Sequence, residues 1–154
     1  MLSNETTFVD RLRSLSRLQN PDVVQEELAG VRAADLADGL ERLDHDEALS
    51  LLLQLSDLQA ADVLVEIADE TSRRIVSELP DSTLAHYLDI LPMDDALELG
   101  ESLPDERFEA LLEVIPREDA QEIRRLLTFP EGSAGQLMTE NFFDVTPETS
   151  MRQI

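Results

Sequence analysis

The sequence predicts an all-α fold, a right-handed superhelical array of short helices on a 12-residue repeat. Three observations carry that expectation. Pro80, Pro92, Pro104 and Pro116 follow one another at intervals of twelve, each preceded by an apolar residue. That residue, taken as an anchor, recurs through eight units as Val31, Leu43, Leu55, Ile67, Leu79, Leu91, Leu103 and Ile115. Apolar or small residues sit five and eight past the anchor in every unit, nine past it in all but the last, where Arg124 stands, and again at the next anchor; three-one-three spacing is helical, not the alternation of a strand.

Position five reads Leu36, Ala48, Ala60, Ser72, Leu84, Ala96, Phe108 and Ala120, and position eight runs from Gly39 to Ile123. Position four is polar throughout, from Asp35 to Asp119. Acids gather at positions two to four, among them Asp57, Asp81, Asp94, Asp95, Asp105 and Glu106. A first helical turn exposes unpaired N–H groups and the positive end of the helix dipole, so carboxylates there stabilise it. Proline just ahead of the turn fits because its missing N–H is not needed. Each unit is therefore a turn plus a helix of about eight to ten residues, too short to persist alone because nucleation outweighs so few hydrogen bonds. Two units make a 24-residue helical pair, within the period range of helical solenoids whose units pack mainly on their neighbours.

The flanks differ from the array. Residues 1–30 read as capping helices, one over 5–18 carrying Phe8, Val9, Leu12, Leu15 and Leu18 at helical spacing, and one over 21–29 ended by Gly30. Residues 31–127 form the acidic repeat domain, and the texture changes over 128–154. There Phe142 to Val145 predict a short strand and Thr146-Pro147 the start of another helix, with Thr146 as N-cap. The sequence stops before that unit forms a core, which reads as a fragment boundary.

Composition bounds the chemistry. The chain has 154 residues, 34 Asp+Glu, 12 Lys+Arg, a net charge of -22 and no cysteine; every cation is an arginine. Without lysine there is no P-loop lysine and no Schiff base. Without cysteine there is no thiolate zinc site, thiol nucleophile or disulfide framework. Such acidity repels a phosphate backbone, so generic nucleic-acid binding is disfavoured; it fits cations, basic partners or a high-salt environment. Hydrophobic residues at 42% exclude a disordered acidic tail. No apolar run reaches the length of a membrane span, and the polar start is unlike a signal peptide, so the chain reads as soluble and cytoplasmic. No Ser/His/Asp arrangement has a supporting context, and an enzyme is not expected. His45 and His86 read as surface or partly buried residues, not zinc ligands, and Arg11, Arg13 and Arg17 as a solvated basic helix face.

The segment FPEGSAGQLMT, residues 129–139, closely resembles the junction motif of the MgtE family of magnesium channels and transporters, and the proline-led acidic repeats, with Leu-Pro-x-[DE]-[DE] met at LPMDD (91–95), resemble that family's N domain. The stub FFDVTPETSMRQI is similar to the start of the first CBS domain that follows in the family. The resemblance implies a cytosolic regulatory domain, on the inner side of the cell membrane, of a longer homodimeric protein with a CBS pair and a membrane pore. It further implies that Mg2+, shared with CBS-domain carboxylates, favours a compact closed state. When Mg2+ falls, the acidic surfaces repel and the pore is released. Residues 44–106 hold 17 Asp+Glu and two arginines, a net of -15, and placing another acidic surface against them is costly unless hard divalent cations intervene.

Three carboxylates match acidic positions of the family's helices. Asp62 lies in LQAADVL; Asp94 and Glu98 lie in LPMDDALELG at i and i+4, which places both on one helical face. Asp62 and Glu98 also share position seven of their units. The resemblance implies that these three are Mg2+ ligands. Read by position alone, each is a solvated or helix-stabilising acid. The competing reading of the chain is an all-helical protein-interaction module with no metal role.

Overall fold

The computed structural model describes residues 2–129. They form α1 (Leu2–Ser16), α2 (Pro21–Leu28), α3 (Ala33–Leu40), α4 (His45–Leu52), α5 (Asp57–Glu66), α6 (Asp69–Glu78), α7 (Asp81–Ile90), α8 (Met93–Glu101), α9 (Asp105–Leu112) and α10 (Arg117–Leu126), with no strand among the described residues. The strand expected at Phe142–Val145, the helix after Thr146 and the junction from Pro130 onwards lie outside them.

Each repeat unit contributes one helix from α3 to α10, and the periodic positions form the core. Seven of the eight anchors, Leu43 to Ile115, are buried; Val31, at the start, is partly buried and packs against that core. Positions five and eight are buried in every unit. The helices stack in alternation: α3 packs on α5, α5 on α7 and α7 on α9, while α8 packs on α10; α5 and α7 both meet α8 across the two layers. This packing sustains eight- to ten-residue helices, whereas isolated helices shorter than about 12–15 residues are marginal in water.

Helix starts follow local chemistry. Pro80, Pro92, Pro104 and Pro116 occupy N-cap positions. At Ser56 the hydroxyl accepts the Gln59 N–H at 3.4 Å, and at α6 the Glu41 carboxylate, from the end of α3, accepts the Ala68 N–H at 2.8 Å. Both meet backbone donors that a helix start leaves unpaired.

Position four proves to be a half-buried polar site in all eight units, from Asp35 to Asp119. Two of its occupants make the same connection. Gln59 Nε2 donates to the carbonyls of Leu28 and Val31, at 3.2 and 3.4 Å. Arg107 donates to Val76 and Leu79, at 2.9 and 2.7 Å. In each case the acceptors are the anchor two units earlier and the residue three before it, so a side chain in the first turn ties down the corner where an earlier helix ended.

Two glycines interrupt the apolar pattern, and both admit a bulky side chain from another helix. A Cβ on Gly39 would lie 2.3 Å from Leu12 Cδ1, and one on Gly100 would lie 2.3 Å from Phe108 Cζ. Phe108 is the largest occupant of position five, and the missing side chain at Gly100 makes room for its ring.

The first helix, expected over 5–18, is shifted towards the N-terminus and spans Leu2–Ser16. Helix α1 packs on α3 and α4 and buries Leu12 and Leu15, but it ends at Ser16. Ser16 Oγ donates to the Arg13 carbonyl at 2.8 Å, and Gln19 adopts a left-handed φ of 49°. Leu18, expected on the apolar stripe of that helix, is consequently outside it and 52% exposed.

Candidate functional site

Where α5 and α8 pack together, each helix brings an i, i+4 pair of acids: Asp62 and Glu66 on α5, Asp94 and Glu98 on α8, with Asp95 beside Asp94. Like charges at this spacing oppose helix formation by roughly 0.2–0.5 kcal/mol per pair, so Asp62, Glu66 and Glu98, beyond the first turns, are not explained by local helix stability, whereas Asp94 and Asp95 lie in the first turn of α8. Asp62 is half-buried; Asp94, Glu98 and Glu66 are exposed. Asp95 lies half-buried among them. Its carboxyl is pushed above the ordinary aspartate value, first by burial and then by the negative charges of Asp94, Glu98, Asp62 and Glu66.

The fold thus brings Asp62, Asp94 and Glu98, all singled out from the sequence, into electrostatic reach of one group. Sequence reasoning did not single out Asp95 or Glu66 as site residues. The signals for them were modest: Asp95 occupies the inward-leaning fourth position of its unit, and Glu66 stands to Asp62 as Glu98 stands to Asp94.

The donor set is carboxylate oxygen alone, the chemistry that suits Mg2+ or Ca2+ rather than softer metals. No group of three or more His, Cys, Asp or Glu side chains among the described residues converges closely enough to hold an ion. The face therefore offers one or two carboxylates at a time, not a cage. Mg2+ keeps several of its waters and commonly takes only one or two carboxylates from a protein surface, and these residues fit that partial role.

Elsewhere several acids are paired with arginines. Glu47 receives Arg17 Nη2 at 2.6 Å and Arg13 Nε at 3.2 Å. Its carboxyl is held below the ordinary glutamate value chiefly by the Arg17 hydrogen bond, with Arg13 adding to it against the opposing effect of burial. Asp35 is lowered in the same way by Arg32, at 2.7 Å. The histidines are separate contacts: His45 Nε2 lies 2.6 Å from Glu78 Oε1, and His86 Nε2 lies 3.1 Å from Asp57 Oδ2. Arg11, Arg13 and Arg17 are not a free basic face, since Arg11 pairs with Glu27 and the other two share Glu47.

A family model described as the MgtE intracellular N domain matches residues 31–132. The chain belongs to the MgtE family. The match starts at the first anchor, Val31, and spans α3 to α10, so the acidic face of α5 and α8 is part of the MgtE N domain, while α1 and α2 precede it. The family assignment makes this region an intracellular domain of a magnesium-transporter family, not of an enzyme family. No curated protein matches the chain significantly. No helix among the described residues is long and apolar enough to cross a membrane.

Proposed function

We propose that this chain is the Mg2+-sensing regulatory domain of an MgtE-type transporter, acting through the acidic face of α5 and α8. The supporting observation is Asp95, a half-buried carboxyl raised by burial and by four other carboxylates. A face in that state carries repulsion that a hard divalent cation relieves, and more so when a second acidic surface is brought against it. Asp62, Asp94 and Glu98 are the ligands on this side, each used singly or in pairs with water completing the octahedron. The CBS domains of the full-length protein supply the opposing carboxylates. Mg2+ between the two surfaces favours the compact arrangement that closes the membrane pore, and its loss separates them on the cytoplasmic side of the membrane.

The test is a Mg2+ titration of a longer protein that includes the CBS pair, followed by protease protection or small-angle scattering. Compaction at millimolar Mg2+ that weakens in the Asp94→Ala, Glu98→Ala double variant is expected. No compaction would reject sensing and leave the protein-interaction module as the reading of the same helical surface.

A further inference from the structure

The polar and apolar contacts that position α1 reach elements beyond the connection that follows it. Leu12 fills the space over Gly39 of α3. Ser50 Oγ and Gln54 Nε2 donate to the Ser16 carbonyl, at 2.8 and 3.3 Å. Arg13 and Arg17 close on Glu47 of α4, and Arg11 pairs with Glu27 of α2 and donates to its carbonyl at 2.7 Å. Three of the 12 cations of a chain of net charge -22 are thus concentrated in one amphipathic segment that meets an acid of α2 and an acid of the array. Any α1 that reaches this groove makes the same contacts, whichever copy of the chain it belongs to.

Only the connection over residues 17–20 ties each α1 to its own groove. That connection holds Gln19 at a φ of 49°, the one non-glycine residue with positive φ among those described. A left-handed non-glycine residue is strained, and Pro21 follows almost directly. Short hinge loops under strain favour exchange of the element they carry, because an extended connection relieves them while every contact is regained in trans.

We propose that α1 exchanges between two copies of this chain, each α1 seating over Gly39 of the other, with residues 17–20 as the hinge. Mutual repulsion of two strongly acidic arrays and the entropy of association oppose the exchange. The dimer therefore grows with protein concentration and with salt that screens the long-range charge.

The absence of cysteine permits a direct test. In the Leu12→Cys, Gly39→Cys variant, one thiol stands in place of the Leu12 side chain and the other grows from Gly39 into the space that side chain filled. Oxidation is expected to give a covalent monomer in dilute solution and a covalent dimer at millimolar protein. Gln19→Pro, whose ring fixes φ at about −65°, shifts the balance towards dimer, and Gln19→Gly, which accepts positive φ, shifts it towards monomer. Light scattering on these two single variants, without cysteines, should show dissociation constants differing by about tenfold or more. A Gln19→Pro protein that stays monomeric at millimolar concentration overturns the proposal. So does a dimer in which the engineered disulfide between positions 12 and 39 remains within one chain, which is ordinary association of faces.

Discussion

Glu47 and Asp95 occupy the same place in the repeat, four past an anchor in the first turn of a helix, and both are half-buried. Their environments are opposite. Glu47 faces two guanidinium groups from Arg13 and Arg17, which hold its carboxyl low; Asp95 is raised by burial and then by four carboxylates of α5 and α8. The repeat sets backbone, depth and direction, and the neighbouring helix decides what the charge does. Opposite the N-terminal helix the position becomes a clasp, and in the middle of the array it stores repulsion. At Gln59 and Arg107 the same position ties backbone carbonyls instead.

The largest effect on this contrast is expected from Gly100→Val. The added Cβ meets the Phe108 ring at 2.3 Å, so the ring, α8 or both must shift, which disturbs the helix that carries Asp95. Overpacking of this kind destabilises by about 1–3 kcal/mol, readable as a lower urea midpoint. Arg107→Met keeps the length of the side chain but leaves the Val76 and Leu79 carbonyls and Asp81 without their donor. A loss of about 1–3 kcal/mol is expected; an unchanged midpoint would refute the shared role of the fourth position.

The pair Glu47→Gln and Asp95→Asn sharpens the comparison through pH. Glu47 has a lowered folded pKa, so its contribution is present above the ordinary glutamate value and lost as pH falls through the lower folded value. Asp95 has a raised folded pKa, so stability is greatest below the ordinary aspartate value and is lost as pH rises through the folded one. At neutral pH, Glu47→Gln should therefore lower the melting temperature and Asp95→Asn raise it. Both differences should fade on acidification, the first as pH falls through the lowered folded value of Glu47 and the second as pH falls through the raised folded value of Asp95. Parallel profiles would erase the contrast. The smallest effect is expected from Mg2+ itself. Magnesium chloride should raise the melting temperature of this chain beyond sodium chloride of equal ionic strength, and Asp62→Asn with Glu98→Gln should remove the excess.

Much of the architecture was legible because a 12-residue period constrains burial directly: Leu79 or Ile123 has to be inside if its equivalents are. What escaped depended on contacts between distant units. The reason for the small residues Gly39 and Gly100 at core positions lies in Leu12 and Phe108, which occupy the space beside them. Leu18 continued the apolar stripe of α1 in sequence, yet the Ser16 hydroxyl and the left-handed Gln19 end that helix first. Asp62, Asp94 and Glu98 were identified through family resemblance and shared register. Asp95 and Glu66 emerged only once α5 was seen packed against α8, because a pKa shift belongs to a neighbourhood rather than to a spacing.

The ties made by Gln59 and Arg107 impose a parity rule on how this array can change in length. Each reaches back two units, to a corner in its own layer. Removing or duplicating 12 residues between the partners would send every later helix to the opposite layer and leave donor and carbonyl on different sides. A change of 24 residues keeps the layer and restores an equivalent corner. Ancestral growth of the array by duplication would accordingly have proceeded in helix pairs, and a shortened version engineered from it should be cut in pairs too.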